Sequence, residues 1–571
     1  ITGSTVNLPT SDRGFSGDLS ISSGTLNMNG TSGDLYVGGN WTRSSAATFN
    51  ANGRAVFLNG STNQTVSVTG GGTETFSYLL VTKTGGDVIL DNTNATDVTV
   101  NASSGNVLQI NSGNTIDLNG RTLQLSGTSG NINLPAGLAS ITGAAGSTFA
   151  ISGGLKTVTP SGGATLEFGP NVTVALSNGI NFGASTSTIK GTLQIALGGY
   201  VSSNPPTYFS GSTLRYFSGS VYGRGTEWST NSGPGYPYHV TVDQNGTATT
   251  ANLGASGAVC QLAGNLTLNN GGNVSMGAMT LPLIVKGNAI IGGASSGTLT
   301  LSTAAGGDIQ IAGDLTRNAG GVLTQNGREV EMNGTIIQNI SGVSSFAYLA
   351  INNNGASVKL NAATSVSNHL RLELGVLDLN GQTVTMANSS KILRVNGTMS
   401  AAPTVNLGDL YDLEYSATVT SDVEYLAASD VVRDLIINTG FTLTLGGNRS
   451  FNRDLVLAGG DLNLSTYTLA ARGRVVAPAF SGSITVSGGG TRTITGAAGA
   501  GFDITGLGGN NPTNYTKTVS TFGGTLLNFD SNVLVRIGDG SVDFGAGSPT
   551  TINGTLQVLL GGSVGQILNP C

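Results

Sequence analysis

Charge is scarce in this chain. Asp, Glu, Lys and Arg together make up 9% of 571 residues, against about 25% in typical domains. The net charge of −6 is spread thinly, with no basic run. Nucleic-acid binding rests on clustered Lys and Arg that neutralise phosphates, so that class of partner is excluded. Cysteine and histidine are almost missing: Cys260 and Cys571, His239 and His369. No disulfide framework and no Cys-x-x-Cys metal pattern can be built from them. No His-x-His or His-Glu-x-x-His spacing occurs, and neither histidine sits in a catalytic motif, so each reads as a half-exposed strand residue. No apolar run approaches about 18 residues, and no membrane insertion is expected. Helical periodicity is also lacking. The best window, Tyr425 to Ile437, carries the β-branched pairs Val431-Val432 and Ile436-Ile437, which favour a strand. No metal or cofactor is expected.

Glycine, in contrast, is abundant at 89 residues, against an average share of about 7%. It follows no three-residue period, which excludes collagen. Hydrophobic residues reach 38% and lie in short alternating runs, a regularity that disordered chains lack. Gly375 to Met386 sets the pattern. Leu377, Leu379, Val384 and Met386 alternate with polar residues, and Asn380-Gly381 turns the chain at residues that tolerate positive φ. The same phrase returns at Asn29-Gly30, Asn119-Gly120, Asn333-Gly334, Asn396-Gly397 and Asn553-Gly554. A finer period of roughly 20 to 25 residues marks one coil of a solenoid whose faces cannot be buried alone. The expected fold is all-β, a parallel β-helix (β-solenoid) rod with modular internal repeats. About 25 coils stacked about 4.8 Å apart would span on the order of 120 Å. A series of antiparallel sandwiches competes, but would show a boundary every hundred residues or so. Here the punctuation is even.

Longer repeats are superimposed on the coils. Gly39-Asn40-Trp41-Thr42-Arg43 returns as Gly313-Asp314-Leu315-Thr316-Arg317, and Gln64 then matches Gln338. Leu214-Arg215-Tyr216 returns as Leu413-Glu414-Tyr415, and Ser140 to Gly146 returns at Thr493 to Gly499. The resulting modules are 1–125, 126–200, 201–305 with an aromatic loop, 306–390 repeating the first type, 391–470 repeating the third, and 471–571 repeating the second. Gly562-Ser563-Val564 parallels Gly199-Tyr200-Val201 and stops at Asn569-Pro570-Cys571, where the earlier copy continues. Ile1 opens directly in strand-like sequence with no leader. Both features lead us to expect a segment of a longer or processed protein.

Three stretches could carry chemistry. Acids are densest at Asp409, Asp412, Glu414, Asp422, Glu424, Asp430 and Asp434. Asp412 and Glu414 alternate, as do Asp422 and Glu424, so each pair shares a strand face, where neighbouring charge would raise one carboxyl pKa. Paired acids or a calcium site would suit a polysaccharide lyase or hydrolase, and a solvated strand face has the same pattern. Asp539-Gly540-Ser541-Val542-Asp543 lacks the remaining ligands of a calcium loop and reads as a turn. Gly70-Gly71-Gly72 and Gly488-Gly489-Gly490 have no following Lys-Ser/Thr or helix, so they are turns and not phosphate cradles.

The most distinctive stretch runs from Gly199 to Val240. It holds six of the 14 tyrosines and one of the two tryptophans. Tyr216, Tyr222, Arg224, Glu227, Trp228, Tyr236 and Tyr238 are the candidate contacts, because rings stack on sugar faces while Arg and Glu bond hydroxyls. The competing and plainer reading is a long loop that uses these aromatics to pack against the solenoid flank.

Several phrases resemble a known family, the large secreted surface proteins exported by type IX secretion in gliding and related bacteria. They are Gly39-Asn40-Trp41-Thr42, Asn59-Gly60, Gln64-Thr65-Val66, and Tyr348-Leu349-Ala350-Ile351-Asn352-Asn353. Gly375 to Gly381 and Tyr222-Gly223-Arg224-Gly225-Thr226-Glu227-Trp228 also fit, and together they cover most of the chain. The resemblance implies extracellular display with adhesive or structural roles, and usually a carboxy-terminal sorting domain, none being visible in these residues. The expected function is a non-enzymatic stalk, fibre or adhesin segment. Its expected partners are surface glycans, copies of itself or other surface proteins. A glycan-binding module centred on the aromatic loop is the alternative, and a polysaccharide-degrading enzyme a third.

Overall fold

Alternation along short strands decides the fold. In Tyr78–Val81 and Thr122–Leu125 every second residue is buried, and the residues between them face outward. Strands this short cannot bury a face alone, so each is stacked on the next turn of the chain. The computed structural model is accordingly a β-solenoid of about 22 turns, roughly 23 residues per coil, with about 1% helix. It describes all residues except 185, 256–258, 427–430, 472–482, 506–515, 523, 539–540, 545–549, 560–562 and 566–571. Asp430, Asp539, Gly540, Gly562, Asn569, Pro570 and Cys571 therefore lie outside the described residues. The strands named below pair in parallel, as the sequence leads one to expect.

The chain forms two compact units. One comprises Ile1–Gly307 and Arg317–Asn326, the other Asp308–Thr316 and Gly327–Cys571. In the first, a turn contributes three strands, for example Ala55–Leu58, Gln64–Thr69 and Gly72–Phe76. Each pairs with its counterpart in the next turn: Val56 with Leu79, Val66 with Leu90, and Phe76 with Val100. All six of these residues are buried, so like stacks on like around one apolar core. In the second unit, two long strands, Ser345–Leu360 and Thr364–Asp378, pair with bulges that reset the register. Lys391–Arg394, Tyr411–Tyr415, Val432–Asn438 and Leu455–Ala458 then follow in order.

The Asn-Gly corners are of two kinds, a distinction the sequence pattern does not reveal. At Asn119-Gly120 and Asn380-Gly381 both residues have positive φ, 48° and 80°, and 51° and 75°. The asparagine does more than tolerate that conformation. Its side-chain amide donates to the carbonyl of the turn before, Asn119 to Leu90 at 3.2 Å and Asn380 to Leu360 at 3.3 Å. At Asn59-Gly60 neither residue has positive φ, and the reason for glycine is proximity. A Cβ on Gly60 would lie 2.2 Å from the Gly38 carbonyl oxygen.

The duplication read from the sequence extends to individual hydrogen bonds. Gln64 accepts from the Gly60 amide at 2.8 Å and donates to the Val37 and Gly39 carbonyls at 2.8 and 2.5 Å. Gln338 accepts from Gly334 at 2.9 Å and donates to Ile311 and Gly313 at 2.9 and 2.6 Å. Both side chains are fully buried. The fourth partner differs: Lys83 Nζ donates to Gln64 at 2.7 Å, and the Asn353 amide donates to Gln338 at 2.9 Å.

Candidate functional site

The centre of the aromatic stretch is built from two strands and one tight turn. Thr213–Tyr216 alternates, sending Leu214 and Tyr216 inward. The chain returns through Val221–Gly223 and closes in a single 3-10 turn at Thr226–Trp228. That turn drives Glu227 and Trp228 into the interior, where both are fully buried. Glu227 then becomes a hub. Its Oε1 accepts from the Tyr216 hydroxyl at 3.0 Å and the Gly225 amide at 2.8 Å. Its Oε2 lies 3.4 Å from the Tyr222 hydroxyl, and its main-chain carbonyl accepts from Tyr208 at 3.0 Å. Burial pushes the Glu227 carboxyl above its ordinary range, even though these donors and Arg224 favour the charged form. Burial, then the adjacent carboxylate, raises the Tyr216 and Tyr208 phenols well above theirs.

Arg224 is buried as well, and its guanidinium serves the backbone. It donates to the Trp228 carbonyl at 2.6 Å, Val259 at 3.0 Å and Leu253 at 3.3 Å. The Trp228 indole donates to the Gln261 carbonyl at 2.7 Å. The nearby Cys260 thiol is buried and pushed up to about 12 by desolvation, which leaves it unreactive. Of the seven candidate contacts, Tyr216, Arg224, Glu227 and Trp228 are thus part of the interior. Neither Trp228 nor Tyr216 exposes a ring face to solvent. Tyr222, Tyr236 and Tyr238 remain half-buried. The Tyr236 hydroxyl accepts from the Gln261 amide at 3.1 Å, and Tyr238 packs edge-on against His239 at 4.7 Å.

The same hub occurs in the second unit. Glu424 is fully buried, and its Oε1 accepts from Tyr415 at 3.1 Å, from the Asp422 amide at 3.0 Å, and from Arg394. Tyr411 donates to the Glu424 carbonyl at 2.7 Å, as Tyr208 does to Glu227. The repeat Leu214-Arg215-Tyr216 and Leu413-Glu414-Tyr415 is therefore the visible part of a duplicated structural device. Two details differ: Tyr222 stands at Glu227 Oε2 whereas Glu424 Oε2 has no partner among the described residues, and the cation of the second hub, Arg394, comes from the turn before.

The acid-rich stretch resolves into ion pairs between neighbouring turns. Asp412 receives two hydrogen bonds from Arg433, at 2.7 and 2.5 Å. Glu414 pairs with Lys391 at 2.5 Å, and Asp434 binds Arg453 through both carboxylate oxygens. Burial raises the Glu414 carboxyl, but the Lys391 and Asn438 bonds outweigh it and hold it below its ordinary value. Asp434 goes the other way, raised by burial despite Arg453. Asp412 and Glu414 do alternate on one strand, as expected, yet each has its own cation. Asp422 is exposed, and Asp409 accepts from the Asn406 amide at 3.2 Å.

His239 and His369 are half-buried strand residues. His239 Nδ1 accepts from the Asn265 amide at 2.9 Å. Burial, with Lys391 and Arg371 nearby, lowers His369 to about 4, and its Nε2 is buried without a partner.

Sequence reasoning passed over a third carboxylate that is almost completely buried, after Glu227 and Glu424. Glu74 Oε2 accepts from the Trp41 indole and from Arg43 Nε, both at 2.9 Å, and the Trp41 ring packs edge-on against Phe49 and Phe76. It also passed over Lys156, fully buried with its ammonium donating to the Gly127 and Gly154 carbonyls at 2.5 and 3.1 Å. The partners of Glu74 lie 33 and 31 residues away, and no local pattern could link them. No family model, curated protein or solved structure matches this chain.

Proposed function

We propose that the chain is a non-catalytic scaffold of the extracellular cell surface, a β-solenoid segment of a stalk, fibre or adhesin. One observation carries the reading: the side chains best equipped for chemistry join successive turns to one another. Glu74, Glu227 and Glu424 bind aromatic or cationic donors in the interior. Asp412, Glu414 and Asp434 bind a cation from an adjacent turn. An acid held this way is a cross-tie, since a general acid or base needs a substrate-facing lone pair. The outward surface, poor in charge and rich in Ser, Thr, Asn and Gly, suits a hydrated exterior. Export by the type IX route, with surface glycans, further copies or other surface proteins as partners, rests on the resemblance set out above.

The test is immunolabelling of intact, unpermeabilised cells of the source organism with an antibody raised against residues 1–307. The expected result is labelling that external protease removes. Signal confined to lysed cells would overturn the extracellular reading. Release of oligosaccharide from acidic polysaccharides by the purified chain would overturn the non-catalytic one.

A further inference from the structure

Away from the aromatic loop, an outward column of the first unit has an aromatic face with nothing over it. Tyr36 and Phe57 occupy matched positions on adjacent strands and stack with ring centroids 4.3 Å apart and planes inclined by 15°. Leu80 continues the column beneath Phe57. On the other side of Tyr36 the register partner is Gly14, which has no side chain. The ring of Tyr36 is therefore packed on one face and uncovered on the other.

That face borders a groove of about 540 Å³, lined by residues from four successive turns and so set along the flank. Its floor is made by glycine corners. A Cβ on Gly38 would meet the Ser16 carbonyl oxygen at 2.7 Å, and one on Gly60 the Gly38 carbonyl oxygen at 2.2 Å. The turns approach too closely there for side chains, and the hollow beside Tyr36 follows. Its rim is polar and uncommitted: among the described residues, Ser16, Asn59, Ser61 and Thr84 are exposed and their side chains make no hydrogen bond within the protein. Asp12 and Asp34 stand close enough to the Tyr36 hydroxyl to act on it electrostatically. Asp34 is engaged by Arg54 at 2.8 Å, while Asp12 is exposed.

We infer that this groove binds a neutral saccharide chain, one pyranose ring lying on the open face of Tyr36 beside Ser16 and the following sugars extending along the groove past the Asn59, Ser61 and Thr84 side chains. The C–H bonds on a pyranose face carry slight positive charge and meet the negative face of an aromatic ring. Uncommitted hydroxyls and amides match sugar hydroxyls in number and polarity. The two carboxylates beside the Tyr36 hydroxyl disfavour uronates and sulfated sugars. The inference is independent of the scaffold reading, because it concerns the isolated chain wherever it resides.

The test is saturation-transfer NMR on the full chain with cellotetraose, maltotetraose, mannotetraose and, as an anionic comparison, tetragalacturonate. At least one neutral tetrasaccharide is expected to receive saturation, with at least a tenfold loss in Tyr36→Ala. Gly14→Phe is the companion variant. An added Cβ at Gly14 meets nothing within 4 Å, so the new ring covers Tyr36 without disturbing the fold, and binding is expected to vanish while the melting curve is unchanged. Tyr222→Ala is expected to bind as the parent does. No transfer to any neutral sugar, preference for tetragalacturonate, or binding that survives both Tyr36→Ala and Gly14→Phe would overturn the inference.

Discussion

Single residues matter here mainly where they close a polar account in the interior. Gln64 satisfies the Gly60 amide, two carbonyls and the Lys83 ammonium with one buried amide. Truncation leaves these groups buried without partners, at about 1–3 kcal/mol each for those that water cannot reach. Gln64→Ala is therefore expected to destabilise its turn by on the order of 3 kcal/mol, read as faster amide exchange across Ala55–Leu58 and Gln64–Thr69. Unchanged exchange would remove Gln64 from the account.

Two other residues give pH dependence of opposite sign. The folded Glu227 pKa is raised by burial, so its contribution is complete below the unfolded value of about 4.5 and is lost as pH rises through the folded value. Glu227→Gln keeps the acceptor and cannot ionise, so its stability relative to the parent should increase from about pH 4.5 upward. A relative stability that falls over this range would contradict the raised pKa. His369, lowered to about 4, acts in reverse. Its contribution is complete above the unfolded value of about 6.5 and is lost as pH falls toward the folded one. In a pH series of thermal melts, His369→Gln should lack that acid-side loss, about 1 kcal/mol after solvent screening. An identical acid limb in both proteins would rule His369 out.

At the scale of the element, the working unit is the hub formed by a strand tyrosine and the buried glutamate of the turn that follows. Arg394 and Glu424 form a buried ion pair in the second of these hubs. Removing either partner alone strands a charge and typically costs about 3–5 kcal/mol, whereas replacing both with apolar residues of similar size is often close to neutral. Arg394→Met and Glu424→Met should therefore each destabilise strongly and the double variant much less, measured as a double-mutant cycle by thermal melts. Additive losses would mean that the pair is not coupled.

These hubs also mark how far the sequence could be read. Strands, turns and the parallel stacking were legible because alternation and Asn-Gly spacing are local. The matched Leu214-Arg215-Tyr216 and Leu413-Glu414-Tyr415 even located the duplicated hub. What stayed hidden was direction. A tight turn at Thr226–Trp228 carries Glu227 and Trp228 inward, so the centre of the aromatic stretch is interior while Tyr200 and Phe209 stay exposed. Partners a full turn apart, such as Trp41 and Glu74, leave no local trace. The Tyr36–Phe57 column did leave one, an aromatic between two inward aliphatics in Leu35-Tyr36-Val37 and again in Val56-Phe57-Leu58, 21 residues on.

For the whole molecule, stacking about 22 turns makes stability close to a sum of turn and interface terms. Opening is then local, and a defect is felt mainly by neighbouring turns. We propose that Asp412, Glu414, Glu424 and Asp434 serve that stacking rather than catalysis, and this is the account's central claim. Hydrogen exchange followed by mass spectrometry, comparing the parent with Glu424→Gln, tests it most directly. The account predicts faster exchange confined to Tyr411–Tyr415, Val432–Asn438 and the segments they pair with, with distant turns unchanged. Full protection throughout the variant would contradict it, because Glu424 would then hold nothing in place.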